Sequence, residues 1–119
     1  MAAGCGAQKT PASRLPETLP GGWTRGAIRE LTPDSAPAEI RYLVIRHAYE
    51  AEYPGPVPMK ITLWEMPAAF EAAQKWRHRE GTIAFHEGSY LVVIDAPRAS
   101  RAQRDGVADA LAKLLRSDG

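Results

Sequence analysis

A chain of 119 residues carrying 15 basic and 14 acidic side chains has a net charge of only +1, too little field to draw in a polyanion. Hydrophobic residues make up 45% and charged residues 24%, the balance of an ordinary globular domain with one continuous core. The single cysteine makes no internal disulfide, and no apolar run approaches the ~20 residues of a membrane-spanning helix. Nucleic-acid binding, a disulfide scaffold and a helical membrane span are therefore not expected.

The chain opens Met1-Ala2-Ala3-Gly4-Cys5-Gly6. Small residues ahead of a cysteine let a peptidase approach the backbone closely, and the thiol is the group that takes a diacylglycerol. The segment resembles the lipobox of bacterial lipoproteins, which implies lipidation at Cys5, membrane lipid as a partner and a place at the cell envelope facing the periplasm. Two or more acyl chains would hold such an anchor stably. Export also needs a basic and then an apolar stretch, and neither precedes Cys5, so this reading expects a start upstream of Met1. The alternative is a cytoplasmic protein with a free thiol near its start. Residues 1–22 contain Pro11, Pro16, Pro20, Gly21 and Gly22 with little that packs, and read as a disordered tether. The domain is then expected to span 23–116, with Trp23 packing at its edge.

Within that domain, Ile28 and Leu31 fit neither helix nor strand clearly before Thr32-Pro33-Asp34 breaks the chain. Pro37, Ile40, Leu43 and Val44 predict a short helix. From Ile45 the period becomes two: Ile45, His47, Tyr49, Ala51 and Tyr53 face one way, and Arg46, Ala48, Glu50 and Glu52 the other. This is a first strand with one buried and one wet face. Pro54-Gly55-Pro56-Val57-Pro58 is a rigid connector into a second strand, Lys60 to Met66, in which Ile61 and Leu63 oppose Trp64 and Met66. Pro67 opens a helix through Arg79, with Phe70, Ala73, Trp76 and Arg77 as its packing stripe, Ala69 beside them, and Gly81 as its stop. Residues 82–95 form a hairpin turning at Glu87-Gly88, and its apolar second arm belongs inside the sheet. Ser100 caps a last helix that buries Val107, Leu111, Leu114 and Leu115. The expected architecture is α+β: a two-layer, antiparallel four-stranded sheet, elements ordered α-β-β-α-β-β-α, with the helices on one face.

Chemistry is sparse. His47, His78 and His86 show no tight ligand spacing, although His47 and His86 could meet across the sheet beside Met59 or Met66 as a soft metal site. Glu65, beside Trp64, could pair with His86 as an acid–base couple, or simply favour the positive end of the following helix. No Gly-rich phosphate loop and no Gly-x-Ser-x-Gly setting occurs, so no catalytic residue and no cofactor is assigned.

Tyr53-Pro54-Gly55-Pro56, Ile61-Thr62-Leu63-Trp64-Glu65-Met66, Ala69-Phe70 and Phe85-His86-Glu87-Gly88-Ser89-Tyr90-Leu91-Val92-Val93 together resemble an uncharacterised bacterial domain family of unknown function. That resemblance implies an exported or lipid-anchored protein and carries no catalytic residues. The reading that follows is a lipid-anchored envelope domain that binds a partner without catalysis. The alternatives are a small metal-binding or enzymatic domain using His47, Glu65 and His86, and a cytosolic protein-interaction domain.

Overall fold

The computed structural model describes residues 14–117. Cys5 and most of the expected tether lie outside the described residues.

The core is a mixed α+β body built on one antiparallel sheet. Its strands are β3 (Ile28–Leu31), β4 (His47–Glu52), β5 (Lys60–Glu65), β6 (Thr82–Glu87) and β7 (Tyr90–Asp95), in the spatial order β3-β4-β5-β7-β6. A two-stranded ribbon, β1 (Thr18–Leu19) with β2 (Trp23–Thr24), precedes it. Helix α1 (Ala69–Lys75) joins β5 to β6, and α2 (Arg101–Ser117) ends the fold.

The expected strands form where alternation and apolar content predicted them. β4 and β5 pair antiparallel across the proline-rich connector, which is closed by the Tyr53 N–H donating to the Met59 carbonyl at 2.7 Å. β7 lies inside the sheet, with Leu91 to Ile94 buried on both faces. The β6–β7 loop is Gly88-Ser89, and Gly88 takes φ +60°, a conformation that favours glycine. The first turn of α2 is closed reciprocally: the Gln103 N–H donates to Ser100 Oγ at 3.0 Å, and the Ser100 N–H to Gln103 Oε1 at 2.8 Å.

Several expectations are corrected. The sheet has five strands rather than four, because Ile28–Leu31 pairs with β4 as an edge strand. The helix expected over 37–43 is a run of tight turns: Ile40 and Leu43 donate to carbonyls three residues back, and only Pro33–Ser35 is helical, as one 3₁₀ turn. Helix α1 stops at Lys75, well short of Arg79, and it buries Ala69 and Ala72 while Phe70 is 58% exposed. The small side chains let this short helix lie close on the sheet, and Phe70 instead meets the His86 ring edge-on at 5.1 Å.

The helices also pack on opposite faces, making three layers. One face carries Ala51, Ile61, Leu63, Val92 and Ile94 against Val107, Leu111 and Leu115 of α2. The other carries Ala48, Trp64, Leu91 and Val93 against Ala69 and Ala72 of α1, with Ala36 and Ile40 from the turns. On the face of β4 expected to be wet, Ala48 and Glu50 are therefore buried, while Arg46 and Glu52 stay exposed.

The domain boundary moves as well. Leu15 and Leu19 are buried in the α2-side core beside Trp23, so the folded body includes residues expected in the tether. The Tyr53 hydroxyl donates to the Pro16 carbonyl at 2.7 Å, and Trp23 Nε1 donates to the Val57 carbonyl at 3.0 Å. Burial pushes the Tyr53 hydroxyl well above its usual pKa, against the opposing pull of Arg25. Among the described residues, no helix is long and apolar enough to cross a membrane.

Candidate functional site: a cleft on the α1 side of the sheet

Helix α1 has seven residues and so spans ~10 Å, whereas a six-residue strand spans ~20 Å. It covers β6 and β7 near one end and leaves part of the same face open. A cleft of about 360 Å³ lies there, lined from five strands and two loops.

Its floor is set by register. Arg29 pairs with Glu50, Glu50 with Thr62 and Thr62 with Val93, so these side chains form a row across the sheet. One step along each strand's facing side, Lys60 pairs with Asp95 and Asp95 with Thr82. Trp64 continues the floor on β5; Leu31, Ser35 and Pro37 supply one wall, and Trp76 and Arg79 the other.

Glu50 and Arg79 are both ion-paired in this cleft. Glu50 is 7% exposed and accepts from Arg29, with Thr62 Oγ1 donating to Oε2 at 3.4 Å and Lys60 Nζ 3.6 Å from it. Burial of a carboxylate is tolerated here because it is hydrogen-bonded and faced by two cations. Arg79 lies over the Trp76 ring at 4.7 Å and pairs with Glu39 at 2.9 Å. Partial removal from water pushes the Glu39 carboxyl up. The Arg77 N–H, its own backbone and the Arg79 guanidinium outweigh that and hold it below its ordinary value.

Two donors break the pattern. Trp64 Nε1 and Trp76 Nε1 are both shut away from solvent, with no acceptor among the described residues. Trp64 is 4% exposed. An indole N–H can only donate, and leaving such a group buried and unpaired costs about 1–3 kcal/mol. Trp23, on the opposite face, has its acceptor in Val57.

The residues singled out for chemistry do not assemble. His47 opposes Glu65 in register and stacks with Tyr49 at 6.2 Å, on the α2 side of the sheet. His86 lies on the α1 side against Phe70, so it meets neither His47 nor Glu65. Met59 and Met66 are likewise divided between the two cores. Among the described residues, no group of three or more His, Cys, Asp or Glu side chains is placed to hold a metal ion. The cleft residues escaped sequence reading because Arg29, Glu50 and Thr62 are brought together only by register. The available signal was Thr62 between the apolar Ile61 and Leu63, level with Glu50.

No protein-family model matches the chain, and neither a curated protein nor a solved structure does.

Proposed function

We propose that this chain is a non-catalytic binding domain of the bacterial cell envelope, anchored through Cys5, whose ligand enters the cleft between Arg29 and Trp76. The observation that carries the binding reading is the charged row of Arg29, Glu50 and Lys60 on the floor of an open cleft, within the ~300–1,000 Å³ range of small-molecule sites. A polar ligand would meet the partly exposed Arg29 and Lys60 side chains beside the buried Glu50 carboxylate. The envelope reading rests on Ala2-Ala3-Gly4-Cys5.

Two experiments test the parts separately. For the cleft, thermal unfolding is followed in acetate, inorganic phosphate, methylammonium and N-acetylglucosamine, with wild type and Lys60→Met. Binding to the native state raises the midpoint by mass action. At least one solute is expected to raise it in the wild type and less so in the variant; a flat response to all four contradicts the reading. For the anchor, cells expressing the full-length gene product are fed labelled palmitate. Label is expected on the wild type and not on Cys5→Ala, and an unlabelled wild type contradicts the envelope placement.

A further inference from the structure

We infer that β6 is an interaction edge whose partner is a second copy of this chain, the two sheets joining antiparallel across a two-fold axis at Ala84. The outer strands of the sheet are β3 and β6. An unpaired strand edge associates unless something blunts it. β3 is short and exposes Arg29 and Glu30. β6, Thr82-Ile83-Ala84-Phe85-His86-Glu87, has no lysine or proline and only one carboxylate, at its end. The hairpin fixes which of its backbone groups face outward. The two-residue loop makes Glu87 and Tyr90 a hydrogen-bonded pair, and the Ala96 N–H, donating to the Gly81 carbonyl at 2.9 Å, keeps that phase at the other end. Gly81, Ile83, Phe85 and Glu87 therefore turn their backbone groups to β7, and Thr82, Ala84 and His86 turn theirs outward. Thr82 gives its N–H to the Arg79 carbonyl at 3.1 Å, whereas no hydrogen bond outside the ladder reaches the backbone of Ala84 or His86 among the described residues.

A copy centred on Ala84 is self-complementary. Each Ala84 N–H meets the other copy's Ala84 carbonyl, and each His86 N–H the other copy's Thr82 carbonyl. Side chains choose this register over the one centred on Phe85, which the backbone also allows. At Ala84 the half-buried Ile83 and Phe85 oppose each other on the α2 side, an apolar cross-strand pair made twice. At Phe85, Ile83 would face Glu87 instead. Charge agrees with the first arrangement. Glu87, paired with Arg116 at 3.4 Å, passes the end of the ladder and comes level with the other copy's Gly81. There Arg101 and Arg104 line a cavity together with Glu80 and Asp105, and Arg101 has no ion pair among the described residues. Phe70, 58% exposed and packed on His86, adds an apolar flank to the same edge. Six residues a side fall short of the ~20–30 of a standard interface, so the dimer is weak and concentration-dependent.

The test uses the full chain under reducing conditions, so that Cys5 cannot cross-link two copies. Light scattering between ~10 µM and ~1 mM is expected to move from the mass of one chain towards twice that mass. Over the same range, amide exchange at Ala84 and His86 should slow about 3- to 10-fold, with no change at Ile28–Leu31. Ala84→Pro removes the central outward N–H and leaves the bonds to β7 in place, as an edge strand tolerates. It should stay monomeric with an unchanged far-UV circular dichroism spectrum. Arg101→Glu sets a carboxylate against the other copy's Glu87 and should weaken dimerisation about 2- to 5-fold. A chain still monomeric at ~1 mM overturns the inference, as does a dimer that protects β3 rather than Ala84 and His86. An Arg101→Glu variant that dimerises like wild type overturns the Ala84 register. If Ala84→Pro does not fold, the exchange contrast between β6 and β3 in the wild type decides alone.

Discussion

Replacing Trp64 and Trp23 by phenylalanine in separate variants turns the unpaired indole into a measurable free energy. Both side chains are almost completely buried, and both substitutions delete the same part of the ring system. The lost packing alone is worth about 2 kcal/mol in each case. At Trp23 the change also removes the bond to Val57, about 1 kcal/mol more, for a total near ~3 kcal/mol. At Trp64 it removes a donor that has no acceptor, which returns about 1–3 kcal/mol and offsets the packing loss. Trp64→Phe is therefore expected to be within about 1 kcal/mol of neutral. With a urea m-value of about 1–3 kcal/mol/M, the two variants should differ in unfolding midpoint by ~1 M or more, followed by far-UV circular dichroism. Equal losses in the two variants would refute the reasoning, because they would mean that Trp64 Nε1 is satisfied in the ligand-free protein.

Other consequences concern the frame that holds the cleft. Gly55→Ala places a methyl 2.7 Å from Trp23 Cδ1 and 2.9 Å from the Gly22 carbonyl, and should destabilise by about 1–3 kcal/mol in urea unfolding. Gly106→Ala meets nothing within 4 Å and should stabilise α2 by about 1 kcal/mol in the same assay. Ser100→Ala breaks the reciprocal cap with Gln103 and should cost about 1 kcal/mol, whereas Phe70→Ser should stay within about 0.5 kcal/mol of wild type. Glu39 titrates below its ordinary 4.5 when folded, so its contribution is complete above that pH and is lost as the pH falls through the lower, folded value. The stability gap between wild type and Glu39→Gln should accordingly be constant near neutrality and narrow only below pH 4.5, as read by unfolding midpoints across acid pH.

Strong local periodicity made the middle of the chain legible. Lys60 to Met66 and Tyr90 to Ile94 carry enough apolar residues at the right spacing to define interior strands, and Gly88 fixes the turn between β6 and β7. Elements stabilised from a distance were not legible. Leu15 and Leu19 are lone apolar residues among prolines, and two-residue strands have no period to read. Their burial depends on Tyr53 and on α2, far along the sequence. Pro37, Ile40 and Leu43 have helical spacing, but in the fold they form successive turns whose side chains plug the sheet face beside Trp64. The choice of face for each helix was equally hidden. Ala69 and Ala72 give weak hydrophobic contrast beside Phe70, although only the small residues fit against β6 and β7. The cleft is a product of register, and register across four strands is not written in any one of them.

The most direct test is a crystal structure of the complex with whichever solute most raises the thermal midpoint. A polar atom of that solute is expected within hydrogen-bonding distance of Arg29 or Lys60, above the row formed by Arg29, Glu50 and Thr62. A solute bound elsewhere, with only ordered water in the cleft, would contradict the account.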